Sequence, residues 1–206
     1  NATSIGFRAF MSCSSLSQVS LPKCSYIGST AFYSCSSLSQ VSLPMCRYIE
    51  TDAFWKCPLS QVSLPVCSYI GGGAFGYCSS LSQVNLPMCI SVWATAFEYC
   101  TSLTQVSLPM CELIGARAFE YCSSLSQVSL PMCSYIDAAV FRYCSSLSRI
   151  TIGYSSVCSL YSTNVFDDTQ ITSSTGSIYV PVSLVDAYKS ATNWSYFSRQ
   201  IYSISQ

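Results

Sequence analysis

Apolar and polar residues alternate in short segments that recur along most of the chain. In one such segment Val41 and Leu43 are apolar, while Gln40 and Ser42 are polar. This alternation is typical of a β-strand with one buried face. Pro44 follows immediately and has no amide hydrogen, so we expect the strand to end there. The sequence therefore predicts a series of short strands, each with one apolar side.

An Ala-Phe pair gives the period of the repeat. It occurs at Ala9-Phe10, Ala31-Phe32, Ala53-Phe54, Ala74-Phe75, Ala96-Phe97 and Ala118-Phe119, and Val140-Phe141 continues the series. The steps are 22 residues, with one step of 21. One strand cannot bury its apolar side alone, whereas stacked repeats build a continuous core. We predict a right-handed leucine-rich-repeat solenoid with one short parallel strand per 22-residue turn, and with Ala-Phe-x-x-Cys as a short helical or 3-10 turn.

The repeat is regular only in the first three quarters of the chain. We expect residues 1–153 to form about seven rungs, each rung being one turn of the solenoid, and residues 154–206 to form an irregular last repeat and a C-terminal cap. Together they should make one continuous domain. The chain starts in the middle of a repeat, so we interpret it as a fragment or a trimmed mature form. The first rung has no matching cap, which predicts a risk of self-association there.

A strand and a helix are expected to close the C-terminal end. The strand is predicted at Ile178–Val180, and Pro181 ends it. The apolar spacing of an amphipathic helix is present at Leu184, Ala187, Tyr188 and Ala191. Ser183 and Asp186 have the arrangement of a capping box. Further anchoring is predicted for Trp194, Tyr196 and Phe197.

Thirteen of the fourteen cysteines fall into two columns, and Cys158 lies outside both. The first column, three residues after each phenylalanine, contains Cys13, Cys35, Cys57, Cys78, Cys100, Cys122 and Cys144. The second, two residues after each proline, contains Cys24, Cys46, Cys67, Cys89, Cys111 and Cys133. Zinc favours clusters such as paired Cys-x-x-Cys motifs, which this sequence lacks. Disulfides along a column would join parallel side chains and pinch every second rung. The pattern favours a third interpretation, in which each cysteine is a small buried plug with a slow-reacting thiol.

Composition argues against several functions. The formal net charge is zero and only 9% of residues are charged, so we expect no electrostatic attraction to nucleic acid. We also expect no membrane insertion in this fragment, because no apolar stretch approaches about 18 residues. Histidine, the commonest general base, is absent. We therefore predict no enzymatic activity, no cofactor and no bound metal, and we interpret Asp167-Asp168 and Gly71-Gly72-Gly73 as turns.

The polar positions of the strands form a second kind of column, here called the glutamine column. It contains Gln18, Gln40, Gln61, Gln83, Gln105 and Gln127, and Arg149 continues it. Its side chains could bond to one another as amide ladders, or they could bind a protein or glycan partner. Aromatic residues suggest a second candidate surface, since tyrosine and tryptophan often anchor interfaces. The candidates are Tyr33, Trp55, Trp93, Tyr99, Tyr121 and Tyr143, for which packing between rungs is the alternative.

The run Cys-Ser-Ser-Leu-Ser-Gln-Val-Ser-Leu-Pro, followed by Tyr-Ile-Gly and Ala-Phe, resembles the BspA-like leucine-rich repeats, also called the Treponema pallidum type. The resemblance covers about residues 4–181, and 178–201 looks like the closing segment of such proteins from gut-dwelling anaerobic bacteria. It implies repeats outside the cell that adhere to host or bacterial partners. The expected function is a cell-surface protein-interaction or adhesion module, with glycan binding or a structural spacer as alternatives.

Overall fold

The computed structural model describes residues 2–153 and 155–204. Residues 1, 154 and 206, at which the two predicted segments begin or end, lie outside the described residues. The chain forms a solenoid of parallel strands in which equivalent residues of successive turns are paired. The solenoid predicted from the repeat is therefore confirmed.

Two-residue strands form a continuous eight-stranded sheet on one side of the solenoid. They are β1 (Ser4–Ile5), β3 (Tyr26–Ile27), β5 (Tyr48–Ile49), β7 (Tyr69–Ile70), β9 (Ser91–Val92), β11 (Leu113–Ile114), β13 (Tyr135–Ile136) and β15 (Ser159–Leu160). The sequence pattern predicts only one strand per turn, so this second set is not predicted. Two residues are too few to show an alternating pattern, and their pairing depends on the neighbouring turns.

Longer strands form the second side, where the polar residues of the sequence pattern face outward. They are β2 (Gln18–Ser20), β4 (Gln40–Ser42), β6 (Gln61–Ser63), β8 (Gln83–Asn85), β10 (Gln105–Ser107), β12 (Gln127–Leu130), β14 (Arg149–Ile152), β16 (Ser177–Val180) and β17 (Ile201–Ser203). Strands β10, β12, β14, β16 and β17 pair in that order into one sheet, while β2 with β4 and β6 with β8 form two separate pairs. We call this side the long-strand face.

The Ala-Phe-x-x-Cys segments form turns on a third side. In each turn a backbone hydrogen bond joins residues three apart, as from Cys78 N to Phe75 O at 3.2 Å. Other amides reach the next rung, as from Phe75 N to Ala96 O at 2.8 Å. The short 3-10 type turn predicted here is thus present, and it also links successive rungs by hydrogen bonds.

Phenylalanine rings form the centre of the core. Each is fully buried from Phe32 to Phe166, and neighbouring rings stack with centroids 5.1–5.9 Å apart. Stacked aromatic rings gain dispersion energy in addition to the burial of apolar surface. The regular spacing of Ala-Phe along the chain therefore becomes a continuous column through the solenoid.

The cysteines lie inside the solenoid as predicted, and thirteen of them are buried while Cys13 is half-buried. All fourteen are free. First-column thiols donate to the phenylalanine carbonyl of the preceding turn, as from Cys122 Sγ to Phe97 O at 3.2 Å. Second-column thiols donate within their own turn, as from Cys46 Sγ to Tyr48 O at 3.4 Å. Burial raises the pKa of Cys57 to about 12, so its reactive thiolate is scarce at neutral pH.

The C-terminal end is closed by short helices. They are a 3-10 helix at Val182–Leu184, α1 at Val185–Ser190 and a 3-10 helix at Trp194–Gln200, after an earlier 3-10 helix at Thr163–Phe166. In the described part of the chain, no helix has the length and apolarity needed to cross a bilayer.

The cap is fixed to the last rung through two buried aromatic side chains. Cys158 N donates to the hydroxyl of Tyr188 at 2.9 Å, and Trp194 Nε1 donates to Cys158 O at 2.6 Å. The predicted capping box does not form, because α1 follows directly from a 3-10 helix and its N-cap, Leu184, makes no side-chain capping bond. Ala187 is exposed, which differs from the predicted apolar stripe, and Tyr196 is exposed and so does not anchor the cap as predicted.

Close contact between turns makes Gly115 sensitive to substitution. A Cβ on Gly115 would lie 2.6 Å from Ala94 N and 2.9 Å from Trp93 C. Gly115→Ala should therefore push the two rungs apart and lower the free energy of unfolding by about 1–3 kcal/mol in urea titrations. Gly6 follows β1 as Gly115 follows β11, but it has no atom within 4 Å of its added Cβ. Equal losses in Gly6→Ala and Gly115→Ala would contradict this packing.

Candidate interaction surface: a polar groove on the long-strand face

The predicted surface residues lie on three different sides of the solenoid. The structure brings together, on the long-strand face, Gln40, Gln61, Gln83, Gln105, Gln127 and Arg149. The turns after each phenylalanine carry Tyr33, Trp55, Tyr99, Tyr121 and Tyr143. Trp93 follows β9, beside the two-residue strands. The glutamine column and the aromatic residues therefore do not form one surface.

The long-strand face contains a shallow groove of about 640 Å³. In-register pairing places Gln105, Gln127 and Arg149 in one row and Ser107, Ser129 and Thr151 in the next. The groove continues over β6 and β8, and it also takes in Gln61, Ser63, Gln83 and Asn85. Among its lining residues in the described chain, Arg149 alone carries a charge.

The glutamine side chains in the groove are exposed and unengaged. The described residues contain no hydrogen bond between two glutamine side chains of the column. Asn85 Nδ2 instead donates a hydrogen bond to Ser63 Oγ of the preceding turn, at 3.4 Å. The amide ladder that the sequence suggested is thus not observed. Each amide retains donors and an acceptor for another molecule.

The C-terminal end of the groove differs from the rest. The guanidinium carbon of Arg149 lies 4.0 Å from the centroid of the Tyr179 ring. Tyr179 lies beside Thr151 in the next turn, and its ring is 6.1 Å from that of Tyr202. The sequence does not predict these two tyrosines as site residues, because the irregular segment before β16 hides their register with the earlier strands.

The aromatic residues of the turns pack against one another. Trp55, Tyr77, Tyr99, Tyr121 and Tyr143 form a stack with successive ring centroids 4.7, 4.4, 4.3 and 4.4 Å apart. Their faces are therefore largely covered by neighbouring rings. This geometry favours the packing interpretation over a sugar-binding platform.

Trp93 is different, because 46% of its surface is exposed. Its ring is tilted by 47° to that of Tyr69, with centroids 6.1 Å apart. Ile90 and Met88 are also exposed in the same turn. This turn thus combines an open aromatic ring with apolar neighbours, away from the groove.

A buried carboxylate, Glu120, lies next to the tyrosine stack. Glu120 is only 1% exposed; its Oε1 accepts a hydrogen bond from Arg142 Nε and forms an ion pair with Arg142 Nη2. Arg117 Nε lies 3.6 Å from its other oxygen. In the previous turn, burial and the charge of Glu120 raise the pKa of the Glu98 carboxyl above its usual value. The described residues contain no group of three or more His, Cys, Asp or Glu side chains arranged to hold a metal.

The raised pKa of Glu98 predicts a dependence of stability on pH. Because the folded chain favours the protonated carboxyl, this contribution is present below the usual pKa of 4.5 and is lost as pH rises through the raised value. Glu98→Gln should therefore raise the urea midpoint at pH 7, with the difference vanishing near about pH 4. The exposed Glu112→Gln is the control. A constant difference at every pH would exclude this electrostatic cause.

Comparisons with known proteins agree with the architecture. The model of the BspA type leucine rich repeat region matches in 6 copies, over residues 3–92 and 68–183. A comparison with curated proteins finds no match.

Solved structures show the same solenoid. One is a leucine-rich repeat protein from Eubacterium ventriosum, with 22% identity and a TM-score of 0.66 over 75% of this chain and 43% of that one. The T. pallidum leucine rich repeat protein has 27% identity and a TM-score of 0.53 over 74% and 66%. A leucine rich cell surface protein from Faecalibacterium prausnitzii has 21% identity and a TM-score of 0.50 over 99% and 64%. The chain spans 43–66% of the length of these three proteins. Since the family model matches most of the chain, this protein belongs to the BspA-type leucine-rich-repeat family.

Proposed function

We propose that this chain is a non-enzymatic interaction module at the cell surface, which binds an extracellular protein in the groove of the long-strand face. The observation that carries the proposal is the row of exposed, unengaged glutamine amides along that groove. An extracellular location is supported by the family and by the structural neighbour described as a cell surface protein.

The groove is preorganised for binding. The strands beneath the groove are held by backbone pairing and by the buried phenylalanine column, so binding orders little of the protein. Glutamine, serine and threonine side chains both donate and accept hydrogen bonds. A rigid, nearly uncharged groove that carries rows of amide and hydroxyl groups therefore suits a partner that forms many directional hydrogen bonds.

The proposal is tested on an array of purified host-matrix and bacterial surface proteins. Ser107 is exposed in the groove, whereas Ser123 is exposed on the turn side, so the same substitution can be made on both faces. We expect at least one protein to bind saturably, to be lost with Ser107→Trp and to be retained with Ser123→Trp. No binding at all, or equal binding by both variants, would reject the groove as the interaction site.

Glycan binding at Trp93 is a second candidate, because this ring is exposed and lies outside the tyrosine stack. A glycan array should then give a signal that Trp93→Ala abolishes and Trp55→Ala leaves intact. No signal in either array would favour a structural spacer instead.

A further inference from the structure

We infer that the C-terminal end of the groove is a carboxylate subsite, which takes an aspartate or glutamate side chain from an extended segment of a protein partner. The inference rests on the proposed function, because it specifies the chemistry of the partner in the same groove. The residues that carry it are Arg149, Tyr179 and Tyr202.

The charge of Arg149 is not neutralised within the described residues. Its guanidinium carbon lies over the Tyr179 ring, a cation–π contact, and its N–H groups make no hydrogen bond to another described residue, so they can donate to a bound carboxylate. Within residues 2–153 and 155–204, no carboxylate oxygen lies within the 4.0 Å of an ion pair with this guanidinium. Arg149 is nevertheless exposed at the groove, so a carboxylate can reach it.

The arrangement of side chains around Arg149 can bind a single carboxylate. A guanidinium pairs with a carboxylate through two parallel hydrogen bonds, and Gln127 and Thr151 add neutral partners on either side. Half of the Tyr202 surface is exposed beside Tyr179. Arginine and tyrosine beside an otherwise uncharged groove are the residue types that dominate binding energy in protein interfaces.

The charge pattern favours a protein segment over an acidic polysaccharide. A polymer with a carboxylate in every unit would face uncharged glutamines in each preceding turn, from Gln61 to Gln127. A protein segment with one acidic residue matches the single cation. The single cation would also fix the register of such a segment, because its acidic residue must lie at the β14 end of the groove.

The subsite is tested first without any natural partner. The probes are a blocked seven-residue peptide of serine and asparagine with a central glutamate, and the same peptide with glutamine in its place. We expect the glutamate peptide to shift the NMR signals of Arg149 Nε–Hε and of the Tyr179 and Tyr202 rings in a saturable way, and the glutamine peptide to leave them almost unchanged. Equal shifts from both peptides, similar shifts at every arginine, or a response only to a uronic-acid oligosaccharide would overturn the inference.

Two variants separate the subsite from a general charge effect. Arg149→Gln installs the residue that the preceding turns carry at this position, so the fold should be retained, and the tyrosine shifts should disappear. Arg47→Gln removes an exposed arginine outside the groove lining and should leave them intact. Tyrosine shifts that persist in Arg149→Gln would contradict the subsite.

The protein array then distinguishes the two proposals. For a protein that Ser107→Trp displaces, Arg149→Gln should weaken binding about tenfold or more. Unchanged affinity would reject the carboxylate subsite and leave the groove proposal standing. A specific peptide response without any array partner would support the subsite while counting against the proposed protein interaction.

Discussion

Phe97→Ala should lower the free energy of unfolding by about 4 kcal/mol, the largest loss we expect from a single truncation in this chain. The Phe97 ring is fully buried, 5.3 Å from the ring of Phe75 and 5.2 Å from that of Phe119. Its removal would leave a cavity in the middle of the stack, and the two flanking turns cannot close it without breaking their strand pairing. Urea denaturation followed by both circular dichroism and tryptophan fluorescence measures the loss and tests whether the transition is two-state.

Phe7 supplies the matched control, because 66% of its surface is exposed. Phe7→Ala should change stability by no more than about 0.5 kcal/mol. If Phe97→Ala were as mild as Phe7→Ala, the phenylalanine column would not be the centre of the core. Because a solenoid is stabilised mainly by contacts between adjacent repeats, non-coincident transitions in Phe97→Ala would show that the damage separates the chain into two parts.

Arg142→Ala should lower the free energy of unfolding by about 3 kcal/mol. The Glu120 side chain is 2% exposed, and its Oε1 accepts a hydrogen bond from Arg142 Nε and forms an ion pair with Arg142 Nη2. Without Arg142, that charge stays buried with only Arg117 at 3.6 Å. The loss is measured by urea denaturation at pH 7.

The double variant separates a stranded charge from lost packing. Glu120→Gln removes the charge, so the pair Glu120→Gln and Arg142→Ala should recover a large part of the loss. Arg117→Ala should cost less than about 1 kcal/mol, because the Arg117 side chain is 57% exposed and its contact is long. Absence of rescue in the double variant would show that Arg142 acts through packing rather than through Glu120.

The repeat in the sequence predicts the solenoid because every turn repeats the same apolar positions. The Ala-Phe steps of 22 residues set the period, and the regular columns of cysteines imply interior positions. Both follow from stacking alone, since a residue at one position meets its equivalents in the turns before and after. The two-residue strands are not predictable in this way, because their identity depends on pairing with neighbours.

The candidate surface is predicted only in part, for three physical reasons. The outward direction of the glutamine column follows from strand alternation, but the groove depends on how successive turns are arranged. Tyr179 joins Arg149 only after the irregular segment between β14 and β16, across which the repeat gives no register. Glu120 is buried by the packing of the turns, and the repeat pattern does not show that burial.

The most direct test of the claim that free cysteines fill the core of the stacked turns is to count the reactive thiols without prior reduction. In the native protein at pH 8, a thiol reagent should react quickly with at most the half-buried Cys13, since the other thirteen cysteines are buried. After unfolding in denaturant, all fourteen should react. Fewer than fourteen thiols in the unfolded chain, or rapid labelling of several in the native one, would contradict a core filled by free cysteines.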